Sequence, residues 1–198
     1  MKGIISALGA GMFMLSSLAF AADETTPAQD TQDTIKPTLI LNHIKFGQSG
    51  ESDGDELYLS LTVYRANQPA KYNRIPEKPI HWTSEEVDKV KQMPVWSGPI
   101  KNGESVLLLI DLMESDDSPL NPDDIIGTAS IKFKNNNGVL ETKWGMPNRM
   151  GGPTSIDAKN GKVQRFMFVG EGSVYEVYLS ELLNYNPNMN TTVSARRP

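Results

Sequence analysis

Apolar and polar positions alternate in short runs along most of the chain, with turn residues between the runs. That is the period of strands with one buried face, and only one stretch has a helical period. From Pro37 onward, Leu39, Leu41, His43 and Lys45 fall on one side and Ile40, Asn42, Ile44 and Phe46 on the other, which predicts a first strand. Residues 56–64 predict a second, burying Leu57, Leu59, Leu61 and Val63 with Tyr58 and Tyr64 on the opposite face. Val106 to Ile110 is a continuous apolar run, too short to span a membrane and bounded by turn residues, and it predicts a strand covered on both faces. Thr128 to Phe133 alternates again, and Val139 to Trp144 returns after an Asn- and Gly-rich turn at residues 134–138. Val163–Val169 and Val174–Leu179 flank Gly170-Glu171-Gly172-Ser173, the clearest hairpin in the chain. Residues 65–93 carry Pro69, Pro76 and Pro79 and predict a long irregular insertion. Within it, Thr83 and Glu86 have the spacing of a capping box, so a helical turn or two is expected with Val87, Val90 and Met93 on one face. About eight short strands joined by turns predict an all-β antiparallel sandwich.

The first residues change how much of the chain is counted. Lys2, an apolar stretch from Ile4 to Phe20 and the small residues Ala19 and Ala21 make a secretory signal peptide over residues 1–21, leaving no transmembrane helix in the mature chain. Residues 22–36 are a polar spacer, 37–182 the domain, and 183–198 an Asn- and Thr-rich tail. Export to the periplasm or beyond the cell follows, and the absence of cysteine fits a bacterial envelope protein better than a small disulfide-stapled domain. Loss of Lys2 takes the formal charge from −5 to −6, so nucleic acid is not a default partner.

The acids are unevenly placed. Asp111, Glu114, Asp116, Asp117, Asp123 and Asp124 fall within fourteen residues, and the turn-rich segment 47–54 is acidic as well. Carboxylates held this close repel one another unless solvent or a cation intervenes. Elsewhere the signals are weaker. His43 and His81 share no metal-ligand spacing, and Gly47-Gln48-Ser49-Gly50 lacks the full nucleophile-elbow pattern. Trp82, Trp96 and Trp144 fit core packing better than sugar stacking, and Met146 and Met150 read as gap-fillers.

Asp53-Gly54-Asp55-Glu56-Leu57-Tyr58-Leu59 has the form of an Asp-containing loop entering a strand. Met93-Pro94-Val95-Trp96 is a Pro-Val-Trp turn. Leu109 to Asp116, followed by Asp124-Ile125-Ile126-Gly127, has the form of a strand, a pair of acids one residue apart and an Asp-x-x-Gly that opens the next strand. Together the three stretches resemble a C2 domain, a β-sandwich family that often binds calcium at the loops of one end and whose own turn reads Asn-Pro-Val-Trp. Glu114-Ser115-Asp116 stands where the family has Asp-x-Asp, and the loop to Asp124 is longer. The resemblance implies a C2-like sandwich with Asp53, Asp55, Glu114, Asp116 and Asp124 as oxygen ligands of a weak calcium ion (Ca2+). A solvated acidic turn stands beside that reading, with Asp124 serving only to fix a turn.

The chain then reads as an exported, noncatalytic binding or interaction module whose partner is a protein or a membrane surface, with Leu120 at the tip of the long loop. Two rivals remain: a secreted carboxylate-based glycoside hydrolase using two of the clustered acids with Trp82 or Trp96 as a platform, and a structural envelope subunit that contributes an edge strand.

Overall fold

The computed structural model describes residues 34–116, 122–147, 154–158 (backbone only) and 161–183. The expected signal peptide, the expected spacer up to residue 33, Leu120, Met150 and the expected tail from residue 184 lie outside the described residues. Among the described residues, no helix is long and apolar enough to cross a membrane.

Among the described residues thirteen strands follow one another: β1 (Thr34–Ile35), β2 (Pro37–Gln48), β3 (Glu56–Arg65), β4 (Lys71–Ile75), β5 (Trp82–Thr83), β6 (Lys91–Ser97), β7 (Ile100–Lys101), β8 (Ser105–Glu114), β9 (Asp124–Asn136), β10 (Val139–Gly145), β11 (Thr154–Ala158), β12 (Gly161–Gly170) and β13 (Ser173–Leu183). They form an all-β sandwich of two antiparallel sheets. One is ordered β10-β9-β8-β3-β4 with β5 also paired to β3, the other β11-β12-β13-β2-β6, and β1 with β7 makes a small ladder of its own. The inner faces meet in one core. From the first sheet come Leu57, Leu59, Leu61, Leu108, Ile110, Leu112 and Phe133, and from the second Leu39, Leu41, Phe166, Phe168, Tyr175 and Val177. Trp96 on β6 stacks on Phe133 of β9 with ring centroids 5.6 Å apart, one of the contacts that lock the layers together.

Alternation placed β3 as expected, with Leu57, Leu59, Leu61 and Val63 buried. Tyr58 on the other face is buried too, because the Arg74 guanidinium lies 3.9 Å from its ring centre and its hydroxyl donates to Asp123 Oδ2 at 2.5 Å. The strand at 106–110 is not covered on both faces. In β8 every second residue is buried, and Leu107, Leu109, Asp111 and Met113 are half-exposed on the outer face. The apolar run concealed an ordinary one-sided strand, since period alone cannot separate the two when the outer positions are also apolar. β2 departs in another way. Its pairing with β13 shifts register between Tyr178, opposite His43, and Leu179, opposite Leu41. This bulge leaves Leu39, Leu41 and Ile44 all buried, a sequence of positions that strict alternation does not allow.

The irregular stretch 65–93 contains β4, β5 and a single 3-10 turn at Val87–Lys89. Glu86 stands at its N-cap with no side-chain capping hydrogen bond, its carboxylate accepting from Lys89 Nζ at 3.3 Å, so the capping box is not formed. Thr83 is held in β5 opposite Glu56 instead, and Val87 alone of the three apolar positions is fully buried.

Candidate functional site

Register brings the acids together. β3 runs antiparallel to β8 with Leu57 opposite Glu114, and the amide of Ser115 donates to the Glu56 carbonyl at 2.8 Å, extending that ladder past the strand end. The loop before β3 therefore lies beside the end of β8. Between them is a cleft of about 350 Å³ lined by Glu51, Asp53, Gly54, Asp55, Glu56, Thr83, Glu114, Ser115 and Asp116. Carboxylate oxygens of Glu51, Glu114 and Asp116 all lie within 4.8 Å of one another.

Glu114 occupies a core-facing position of β8, in phase with Leu108, Ile110 and Leu112, and is only 7% exposed. No hydrogen-bond donor among the described residues reaches its carboxyl. Burial first, and then the charges of Asp116, Glu51, Asp55 and Asp124, push its pKa up to about 7. Glu51 is exposed and is raised for the same two reasons, desolvation and then its acidic neighbours beginning with Asp53. Asp116 donates its amide to Asp123 Oδ1 at 3.3 Å, whereas its own Oδ2 is buried without a hydrogen-bond partner. A buried carboxylate oxygen with no donor is costly unless something positive stands opposite it. That oxygen of Asp116, the buried Glu114 and the exposed Glu51 share one cleft, an arrangement able to hold a metal ion.

The five residues expected as ligands separate into different roles. Glu114 and Asp116 enter the cluster. Asp53 lines the same cleft from its exposed rim. Asp124 pairs with Glu114 across β8 and β9 and adds its charge to the field there, outside the three-residue cluster. Asp55 is 1% exposed and its oxygens are already engaged. Oδ1 accepts from Ser49 Oγ at 2.6 Å and from the Gly50 amide at 3.2 Å, and Oδ2 accepts from Ser173 Oγ at 2.7 Å and Tyr175 Oη at 2.6 Å. Burial alone would raise its pKa, but the bonds from Ser49, Tyr175 and Ser173 outweigh burial and hold it below the usual carboxylate value. Asp55 ties the loop before β3 to the β12–β13 hairpin. Glu51 was missed in sequence because none of the stretches that carry the family resemblance includes it, although its place in an acidic, turn-rich loop was the available signal.

The other sequence candidates pack or pair locally. His43 stacks on Tyr178 with centroids 4.0 Å apart, and His81 Nδ1 lies 3.5 Å from Glu56. Trp82, Trp96 and Trp144 are partly buried against the core.

No protein-family model matches the chain, and no curated protein does. Among solved structures, it is similar to human GIVD cytosolic phospholipase A2, determined in complex with methyl gamma-linolenyl fluorophosphonate inhibitor and terbium chloride. The two share 13% identity with a TM-score of 0.39, over 79% of this chain and 18% of that one. Fold and site thus define an all-β sandwich with an acidic cleft at the loops joining β2 to β3 and β8 to β9.

Proposed function

We propose that this chain is an exported, noncatalytic binding module of C2-like type whose acidic cleft takes a calcium ion. The observation that carries the reading is the convergence of Glu51, Glu114 and Asp116 to within 4.8 Å, with Glu114 buried and lacking a donor. Calcium–oxygen bonds run about 2.3–2.6 Å, so two oxygens on one ion are at most roughly 5 Å apart. Hydrolysis of a glycoside asks instead for two acids at least about 5 Å apart flanking a bond. The described lining of the cleft also contains no tryptophan. Glu51, Glu114 and Asp116 would supply charged oxygens and Asp53 a fourth from the rim. The cation would supply charge neutralisation and a link between the loop before β3 and the end of β8. The motifs at residues 53–59, 93–96 and 109–127 support the C2-like assignment, and the apolar N-terminal stretch with Ala19 and Ala21 supports export.

Calcium titration followed by calorimetry and thermal unfolding tests this. Binding only to the folded state raises stability by RT ln(1 + [L]/Kd), about 1.4 kcal/mol at ten times Kd, and for a site of extracellular type Kd is on the order of 10⁻⁴ to 10⁻³ M. Chelation reverses the shift. The pair Glu51→Gln with Asp116→Asn abolishes it while leaving the calcium-free fold equally or more stable, since repulsion is removed. A wild type indifferent to millimolar calcium, or a double variant that still responds, overturns the reading.

A further inference from the structure

The sandwich has four lateral edges, and among the described residues they are not equally guarded. β4 carries Lys71 and Arg74 and runs out at Pro76. β6 contains Pro94 and a register shift against β2. Both features discourage another strand from adding. β10 has neither. It pairs with β9 in unbroken register over all seven of its residues, and no described strand lies on its other side.

Two features of β10 remain unresolved within one molecule. Lys143 stands directly opposite Lys132, a like-charge pair, and neither has an ion-pair partner among the described residues. Val139 is 63% exposed. The Thr142 hydroxyl faces the half-buried Glu181 carboxyl, and Glu141 accepts from Asn136 Nδ2 at 2.8 Å and lies 3.9 Å from Lys134 Nζ.

We propose that β10 is a dimerisation edge, which pairs antiparallel with β10 of a second copy of this chain about a two-fold axis through Thr142. The sequence Val139-Leu140-Glu141-Thr142-Lys143-Trp144-Gly145 is self-complementary in that register. Glu141 of each copy falls opposite Lys143 of the other, giving two ion pairs on the outer face. On the inner face Leu140 meets Trp144 twice, and the two Thr142 side chains meet at the axis. Opposite charges, apolar–aromatic pairs and Thr–Thr pairs are the cross-strand neighbours that stabilise antiparallel ladders. A shift of one residue would break all three matches, so the register is specified as well as permitted. The two first sheets become one continuous sheet, and the symmetric contact closes at two copies.

Sedimentation velocity on the full chain across micromolar to millimolar concentration tests this, with charge reversal as the control. Wild type forms a dimer whose fraction rises with concentration. Glu141→Lys and Lys143→Glu each place like charges opposite one another twice, and each lowers the association constant by about tenfold. Mixing the two variants restores complementary pairs, so a heterodimer forms at wild-type strength. This readout does not move for a change that merely perturbs folding, and matched thermal melts of the separate variants confirm that each is folded. A wild type that stays monomeric at millimolar concentration overturns the inference and leaves the edge to a strand of another protein. It is also overturned if the single variants dimerise like wild type, or if their mixture fails to associate.

Discussion

The Tyr175 hydroxyl donates to Asp55 Oδ2 at 2.6 Å, joining positions 120 residues apart in sequence. Around the same carboxylate stand Ser49, Gly50 and Ser173, and Ser84 Oγ lies 3.0 Å from the Tyr175 oxygen while accepting the Asp55 amide at 2.7 Å. Burial and then the bond to Asp55 raise the tyrosine's pKa, so it remains a donor at any physiological pH. Removing the carboxylate charge strands several buried donors. Asp55→Asn is expected to cost roughly 2–4 kcal/mol and Tyr175→Phe roughly 1.5–3 kcal/mol, measured as shifts of the urea midpoint. Asp55→Asn should leave the calcium response in place. Unchanged stability with calcium binding lost would make Asp55 a ligand instead of a strut.

Glu114 predicts an unusual pH dependence. Its folded pKa of about 7 lies above the ordinary carboxylate value of 4.5, so between these limits the folded chain holds a proton that the unfolded chain has released. Stability from this group is present below about pH 4.5 and is lost as pH rises through 7. In chelator, the melting temperature should therefore fall between pH 5.5 and 8, and Glu114→Gln should flatten that slope and be the more stable protein at pH 8. A wild-type melting temperature that rises over this range would rule out a protonated, buried Glu114.

Gly127, read in sequence as part of the Asp-x-x-Gly that opens a strand, lies inside β9 where the Phe168 ring packs on its backbone. A Cβ there would sit 2.5 Å from Phe168 Cγ. Gly127→Ala should cost about 1–3 kcal/mol through overpacking, and the double variant Gly127→Ala with Phe168→Leu should recover part of it. Additive losses in a double-mutant cycle would show that the two positions do not compete for space.

Trp96 bridges the layers through Phe133, and a Cβ at Gly98 would meet its indole at 2.9 Å. Trp96→Ala should lower stability by about 3 kcal/mol without altering calcium affinity. An unchanged denaturation midpoint would mean that the indole does not hold the sheets together.

The sequence by itself determined the fold class and most strands of the core, because burying one face of a sheet imposes a two-residue period that survives in any order of strands. Leu57, Leu59, Leu61 and Val63, and the hairpin turn at Glu171 and Gly172 with its positive φ values, were legible for that reason. It also marked the loops where acids gather. Tertiary structure alone decided which acids converge. Glu114 closes β8 and Asp116 follows it two residues on, but Glu51 reaches them only because β3 pairs with β8 in a particular register. Asp55, two residues from Asp53 and chemically identical to it, is turned inward by donors from a hairpin more than a hundred residues away. Charge and period are local properties of a chain. Whether a carboxylate meets hydroxyl donors or other carboxylates depends on long-range pairing, and that choice separates a structural hub from a candidate cation site.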